Sequence, residues 1–243
     1  MKLFFRILQA LLIWGSLILT LTGQDNVKSD KNRLTDPGIS RWEEDIRVFD
    51  SLNRVEEVLE HTVLFTGSSS IRRWDSLASD MAPYHIIKRG YGGAKLSDFS
   101  YYLDRIVSPD AFRAIVIFIA NDISGNERDK SPEEVFDLFR QVAGRLRKNN
   151  PESEIFWIEI TPTPSRWEVF PEVQQANEMI RRFCNRKKHM YFISTSQVFL
   201  NQDLKPDSTY FVDDMLHLNR SGYRLWSELI GTSLREAGVF PAP

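Results

Sequence analysis

The stretch Ala114-Ile115-Val116-Ile117-Phe118-Ile119-Ala120 is an apolar run without a single polar residue. A strand with one face in water alternates polar and apolar residues, whereas a strand covered on both faces is apolar throughout. Parallel sheets with helices packed on both sides bury their central strands in this way. The run therefore predicts a central strand of an α/β domain.

The segments on either side of this run alternate between strand and helix patterns. Short apolar stretches predict four more strands, at residues 63–65, 85–88, 155–160 and 190–193. Apolar residues spaced three or four apart predict helices at residues 42–59, 97–107, 131–149, 173–186 and 221–236. The sequence Ser131-Pro132-Glu133-Glu134 predicts a capping box at the start of the third of these helices. This alternation predicts one α/β domain over residues 41–243, with a five-stranded parallel sheet covered by helices on both faces.

The first 23 residues differ in composition from the rest of the chain. Lys2 and Arg6 are followed by an apolar run up to residue 21, and small and polar residues come next. This pattern predicts a cleaved signal peptide; a retained anchor that tethers the protein to a membrane is the alternative. Residues 24–40 are polar and aperiodic and are expected to form a linker. We therefore expect an exported protein, periplasmic or extracellular.

Charge and cysteine content narrow the classes of function. The 243 residues carry a formal net charge of −2, which gives no electrostatic basis for binding nucleic acid. The single cysteine, Cys184, permits no intramolecular disulfide and has no neighbouring metal-binding pattern, so we expect it in the core. No motif specifies an oligomeric state, a cofactor or a metal.

Polar or glycine-rich segments follow three of the predicted strands, at ends that meet at one edge of a parallel sheet. Gly67-Ser68-Ser69-Ser70 follows the first strand, Gly90-Tyr91-Gly92-Gly93 the second and Asn121 the central one. Each has a structural explanation, because serines cap helices, glycines form tight loops and asparagine closes strands with Asx turns. Each also has a chemical explanation, because a hydroxyl, backbone amides and a side-chain amide are parts of an acyl-transfer site.

His217 differs from the other three histidines in having carboxylates both three and four residues before it, at Asp214 and Asp213. A carboxylate bonded to an imidazole holds one tautomer and stabilises the protonated ring, which makes the histidine a usable general base. The alternative is a surface loop with a chance histidine. The remaining histidines show no comparable carboxylate and are expected at the surface or at strand edges: His61, His85 and His189.

The order Ser, Gly, Asn and then Asp and His resembles the SGNH hydrolases, also called GDSL-type esterases and lipases, across residues 61–230. The resemblance implies a three-layer α/β/α sandwich of the flavodoxin-like type and a serine ester hydrolase without a cofactor or metal. It implies Ser69 as the nucleophile and His217 as its base, oriented by Asp214, with Asp213 as the rival. It also implies an oxyanion hole formed by Ser69, Gly93 and Asn121.

Two positions depart from the family pattern. Ser68 stands where the first block usually has Asp, and Ile119 stands where the third block usually has Gly, two residues before Asn121. The bulky Ile119 is expected to narrow the site or shift Asn121. The segment Thr161-Pro162-Thr163-Pro164-Ser165-Arg166-Trp167 resembles a loop of some small members, and we expect Arg166 and Trp167 to contact the substrate.

The resemblance implies an acylesterase or deacetylase that acts on an ester of a glycan or lipid through a Ser-His-Asp triad. The alternative is an exported carbohydrate- or lipid-binding protein that has the fold without the chemistry. For that alternative the sequence offers aromatic side chains that are expected to be exposed: Tyr101, Tyr102, Trp167 and Tyr210. A third function, phosphate binding by the glycine loop, lacks a basic residue at a suitable spacing.

Overall fold

The structure, a computed structural model, describes residues 37–107 and 112–241. The predicted signal peptide and all but the last four residues of the predicted linker lie outside the described residues. The chain divides into two compact units, Met1–Glu44 and Asp45–Pro243. The first unit contains a short helix, α1, at Pro37–Ser40. Within the described parts of the chain, no helix is both long enough and apolar enough to cross a bilayer.

Five strands form a single parallel sheet in the second unit. Their bounds are β1 Val63–Gly67, β2 Ile86–Gly90, β3 Ala114–Phe118, β4 Glu154–Ile158 and β5 Met190–Ile193. The order across the sheet is β2-β1-β3-β4-β5, and every neighbouring pair is parallel. This is the order of flavodoxin-like sheets, whose ligands bind where the winding reverses, at the carboxyl ends of β1 and β3. The predicted five-stranded parallel sheet is confirmed.

A helix overlaps each of the five predicted helical segments, although the first ends at Leu52 instead of residue 59, and several short helices were not predicted. Their bounds are α2 Glu43–Leu52, α3 Ser69–Arg72, α4 Leu77–Asp80, α5 Leu96–Ile106, α6 Pro132–Asn149, α7 Phe170–Cys184, α8 Ser196–Phe199 and α9 Arg220–Glu236. Two 3₁₀ segments lie at Pro164–Val169 and Ser208–Tyr210. Helix α6 begins at the predicted capping box, in which Ser131 and Glu134 bond each other's backbone amides.

The core covers both faces of the sheet. In the register of the sheet Trp157 on β4 pairs with Ile117, so Trp157 and Phe118 point to opposite faces. Phe118 contacts Trp226 of α9 on one face, and Trp157 contacts Phe139 of α6 on the other. Burying each such side chain contributes about 1.5–3 kcal/mol. These two clusters establish the three-layer α/β/α arrangement.

Two side chains on the helices bear on the sequence predictions. Cys184 is buried, as expected, and burial raises the pKa of its thiol to about 12, so it is an inert core residue. Tyr102, expected to be exposed, is fully buried. That prediction was wrong because Phe99, Tyr102 and Ile106 share the face of α5 that packs in the core.

Candidate active site

The turn after β1 places Ser69 at the start of α3, at the carboxyl edge of the sheet. Gly67 has a φ of +126°, and a Cβ there would lie 2.0 Å from the carbonyl oxygen of Phe118, so no side chain fits. The Ser68 amide donates to that same oxygen at 2.8 Å. Ser68 itself makes no side-chain capping bond to the described residues. Helix capping therefore does not account for the serine before α3.

A chain of hydrogen bonds joins Ser69, His217 and Asp214. The Ser69 Oγ lies 2.8 Å from Nε2 of His217, and Nδ1 of His217 lies 2.7 Å from Oδ2 of Asp214. His217 is 148 positions from Ser69 in sequence. Both distances are within the reach needed for a nucleophile, its base and the group that orients the base.

Asp214 is held by its own loop. Its Oδ1 accepts the backbone amides of Leu216 at 3.0 Å and His217 at 2.9 Å. Burial acts to raise the pKa of Asp214, but the bonds from His217 and Leu216 together hold this pKa well below its ordinary value. Asp214 is therefore a carboxylate that can stabilise a protonated His217. Its rival, Asp213, is exposed, and the carboxylate bonded to His217 in the described loop is that of Asp214.

Sequence reasoning missed Arg73 at this loop. Its Nη1 donates to Oδ2 of Asp214 at 3.2 Å, on the same oxygen that His217 uses. Arg73 follows Ser69 by four residues, a spacing that places two side chains on one face of a helical turn. That spacing was the available signal. Arg73 is about half exposed, so this ion pair contributes little to the free energy of unfolding.

Asn121 lies at the end of β3 and is bonded at both ends of its amide. Its Nδ2 donates to the carbonyl oxygen of Ala94 at 2.9 Å, and its Oδ1 accepts Nη2 of Arg166 at 2.8 Å. The neighbouring Asp122 accepts the Leu96 amide at 2.8 Å. These two hydrogen bonds connect the residues after β3 to Ala94 and Leu96, which follow the glycine loop. An Asx turn of Asn121 is not what closes the strand.

The glycine loop passes beside α3. Gly93 has a φ of +69°, a conformation that favours glycine. A Cβ at Gly92 would lie 3.0 Å from the guanidinium of Arg72. The Tyr91 amide donates to the Gly67 carbonyl oxygen at 3.0 Å, which joins the loop to the serine turn.

A cavity of about 30 Å³ adjoins Ser69. The predicted site residues Ser69, Asn121, Arg166 and His217 line it, while Gly93 and Trp167 are not among the described residues that do. Trp167 instead stacks on Phe170, with ring centroids 5.0 Å apart. The rest of the lining is mainly apolar: Phe118, Ala120, Ile123, Ile160, Phe170, Val173 and Leu216.

Ile119 does not narrow this cavity. Phe118, Ala120 and Asn121 line it, whereas Ile119 is not among the described residues that do. Ile119 is buried, with 1% of its surface exposed. The expected effect of Ile119 on the size of the site was therefore wrong.

One of the other histidines pairs with a carboxylate that the sequence did not predict. Nδ1 of His189 lies 3.1 Å from both carboxylate oxygens of Glu154, so the expectation that His189 lacks a carboxylate was wrong. The two residues are 35 positions apart and meet only because β4 and β5 are neighbours. His85 contacts the hydroxyl of Thr62 at 2.9 Å. Among the described residues, no cluster of three His, Cys, Asp or Glu could hold a metal.

Many solved structures have the same fold, and three of them illustrate how closely they match this chain. A Streptococcus pneumonia protein named after platelet activating factor has 20% identity and a TM-score of 0.71, with 84% of this chain and 98% of that one covered. A GDSL-like lipase from Bacteroides thetaiotaomicron has 18% identity and a TM-score of 0.67, with 79% and 98% covered. An acetyl xylan esterase has 18% identity and a TM-score of 0.57, with 71% and 99% covered. At these identities the likeness shows the fold.

The sequence itself settles the family. No curated protein matches the chain. The family model described as the GDSL-like Lipase/Acylhydrolase family matches residues 60–225, well over half of the chain, and spans all of the site residues named above. A hydroxyl, an imidazole and a carboxylate in hydrogen-bonded series suit a hydrolase that acts on esters. The chain belongs to the GDSL-like lipase/acylhydrolase family.

Proposed function

We propose that this protein is a serine esterase that removes short acyl groups, acetyl foremost, from the alcohol groups of a glycan or lipid. The observation that carries the proposal is the unbroken hydrogen-bonded series from Asp214 through His217 to the Ser69 hydroxyl. A binding protein that had lost the chemistry would have no need to maintain this series. The burial of Tyr102 also removes one of the aromatic side chains that a binding surface would use.

The proposed mechanism rests on the hydrogen bonds of Ser69, His217 and Asp214 and takes the role of the Gly93 amide from the family resemblance. Nε2 of His217 takes the proton of Ser69 as Oγ attacks the ester carbonyl carbon, and Asp214 stabilises the imidazolium. The amides of Ser69 and Gly93 and Nδ2 of Asn121 donate to the oxyanion. His217 then gives its proton to the leaving alcohol, and a water molecule activated by His217 releases the acid and restores Ser69.

The size of the cavity supports a short acyl group. One ordered water needs about 10–15 Å³ of such space, so a cavity of about 30 Å³ accommodates only a few non-hydrogen atoms. The apolar lining suits a methyl group better than a polar one. An acetyl group meets both conditions, and a long fatty acyl chain meets only the second.

The alcohol side of the ester is inferred from where the protein acts. The apolar segment after Lys2 and Arg6 supports an exported enzyme, whose substrates lie outside the cytoplasm. The structural likeness to an acetyl xylan esterase makes acetylated xylan the first glycan to test. Cell fractionation with N-terminal sequencing tests the export: a mature chain that begins near residue 24 supports a signal peptide, and an intact Met1 in the membrane fraction supports an anchor.

Hydrolysis of p-nitrophenyl esters of increasing acyl length tests the reaction and the acyl preference together. We expect the highest kcat/KM for acetate, a steep decline beyond butyrate, and release of acetate from acetylated xylan. Ser69→Ala should lose this activity, while Ser70→Ala, a matched change one residue away, should keep it. Activity that survives in Ser69→Ala contradicts the mechanism, and a preference for octanoate over acetate contradicts the acyl assignment.

A further inference from the structure

The segment that contains Arg166 contacts both halves of the site. Arg166 lies in the 3₁₀ segment Pro164–Val169, at a residue whose backbone is not helical. Its Nη1 donates to the carbonyl oxygen of Ala120 at 2.6 Å, and its Nη2 donates to Oδ1 of Asn121 at 2.8 Å. The preceding residue, Ser165, donates its amide to the Met215 carbonyl oxygen at 3.1 Å, inside the loop that carries the base. The segment thus spans from the oxyanion-hole side to the histidine side.

The guanidinium of Arg166 is bonded to neutral acceptors. Both of its hydrogen-bond partners are uncharged oxygens, and no carboxylate of the described residues lies within ion-pair distance of it. Desolvation lowers the pKa of Arg166 from its ordinary value, and the more distant Asp129 partly offsets this. A partly buried cation without a counter-charge is costly in the resting protein. Arg166 also lines the cavity in which negative charge would develop on a substrate oxygen.

The bond from Arg166 and the bond to the Ala94 carbonyl together determine which way the Asn121 amide faces. A guanidinium only donates hydrogen bonds, so it must face Oδ1 and excludes the flipped amide that would present Nδ2 to it. With Oδ1 held by Arg166 and one Nδ2 hydrogen held by the Ala94 carbonyl, one N–H of Asn121 is left. That N–H is available to an oxyanion. Donation from a charged group also polarises the amide and strengthens the remaining donor.

We propose that Arg166 is a positioning residue of the oxyanion hole, which acts through Asn121 by fixing the orientation and polarity of its amide. Its task is then distinct from the substrate contact that the sequence suggested. The inference rests on the proposed esterase function, since it assigns Arg166 a part in that reaction. The geometry predicts that Arg166 matters to the rate of acyl transfer only while Asn121 is present.

A double-mutant cycle with p-nitrophenyl acetate tests this dependence. Asn121→Ala is expected to lower kcat by about 10²–10³-fold, as for the loss of one oxyanion donor. Arg166→Met keeps an unbranched apolar stem and removes the guanidinium donors, and we expect it to lower kcat by roughly 10-fold or more with KM changed less than about 2-fold. The double variant should be no slower than Asn121→Ala, within about 2-fold. The matched control, Arg128→Met at an exposed position of the Asp122–Lys130 loop, should match the wild type.

Rescue by a small cation separates positioning from a merely structural role. Added methylguanidinium should restore part of kcat to Arg166→Ala and none to the double variant with Asn121→Ala. Arg166→Lys, which retains the charge but not the forked donors, should fall between Arg166→Met and the wild type. If Arg166→Met does not fold, these two measurements on Arg166→Ala and Arg166→Lys carry the test.

The outcomes distinguish failure of the inference from failure of the esterase function. If Ser69→Ala retains the wild-type rate, the proposed function fails and the inference fails with it. If Ser69→Ala is inactive but the effects of Arg166→Met and Asn121→Ala multiply, the inference alone is overturned. A rise in KM with an unchanged kcat in Arg166→Met also overturns it, because Arg166 would then contact the substrate directly.

Discussion

Two histidine–carboxylate pairs occur among the described residues, and they differ in their position in the sheet and in which partner is exposed. His217 and Asp214 lie at the carboxyl ends of the strands, where Nδ1 and Oδ2 are 2.7 Å apart. His189 and Glu154 lie at the opposite, amino-terminal ends of β5 and β4, with Nδ1 3.1 Å from both oxygens. The second pair has no serine on the far side of its imidazole among the described contacts.

Exposure is inverted between the two pairs. His217 is 13% exposed and its Asp214 41%, whereas His189 is 48% exposed and its Glu154 8%. In the first pair the imidazole is sheltered next to a hydroxyl and a cavity. In the second the carboxylate is sheltered, and Arg113 lies 3.5 Å from it as a further partner. A histidine–carboxylate pair alone therefore does not identify a general base. The position at the winding reversal and the hydroxyl on Nε2 are what suit the first pair, and not the second, to the proposed role of base.

The largest expected contrast comes from removing each imidazole. His217→Ala should lower kcat/KM for p-nitrophenyl acetate by about 10²–10⁴-fold, because the reaction loses its general base. His189→Ala should change the rate less than about 2-fold. Steady-state kinetics on the two purified variants check this, with circular dichroism as the test of folding. Equal losses in the two variants would remove the distinction between the pairs.

Removing the charge of each carboxylate sharpens the contrast. Asp214→Asn should lower kcat/KM by about 10²-fold, because the imidazole loses the partner that holds its tautomer. We expect a smaller loss in kcat/KM than for a fully buried triad aspartate, because Asp214 is partly exposed. Asp213→Asn, one residue away, is the matched control and should remain active. A larger loss of activity for Asp213→Asn than for Asp214→Asn would show that Asp213, and not Asp214, orients the imidazole.

Removing the carboxylate of the second pair should lower stability and leave activity unchanged, in contrast to the loss of activity expected at Asp214. Glu154→Gln removes a buried carboxylate from His189 and Arg113 and should lower the free energy of unfolding by about 1–3 kcal/mol. Its activity on p-nitrophenyl acetate should stay at the wild-type level at a temperature where the protein is folded. Urea unfolding and kinetics on the same preparation measure both quantities. An active-site defect in Glu154→Gln at full stability would refute a purely structural role for this pair.

The smallest expected effect is the dependence of stability on pH at Asp214. Because the folded-state pKa of Asp214 is lowered from 3.8, its ionised form stabilises the fold above that pH, and this stabilisation is lost as the pH falls through the folded pKa. For a carboxylate this exposed we expect less than about 1 kcal/mol. The Tm of the wild type should therefore exceed that of Asp214→Asn at pH 6, and the gap should close in strong acid. A gap that widens on acidification contradicts the sign.

The sequence predicted the parts of the fold that local pattern determines. The apolar run predicted β3 correctly because a strand buried on both faces has no polar positions. The capping box predicted the start of α6 correctly because its residues lie within four positions of one another. The order of the strands depends on pairing between distant segments, so no local sequence pattern predicts it. Tyr102 was misjudged for a related reason, since its burial depends on which face of α5 packs in the core.

The site divides in the same way. That the serine turn, Asn121 and His217 lie together was predictable, because the first two follow parallel strands and His217 has carboxylates three and four residues before it. The choice of Ser69 among the three serines came from the family resemblance. The pairing of His189 with Glu154 was not, since it arises between neighbouring strands. The bonds of Arg166 to Asn121 and Ala120 join segments about 45 residues apart and could only be seen once the chain was folded.

Labelling with a fluorophosphonate followed by peptide mapping tests the central claim most directly. This reagent bonds covalently to a serine whose proton is removed by a neighbouring base. We predict a single label on Ser69, none on Ser68 or Ser70, retention of the label in His189→Ala and its loss in His217→Ala. An unlabelled wild-type protein, or a label on Ser68 or Ser70, would contradict the assignment of Ser69 and His217 as nucleophile and base.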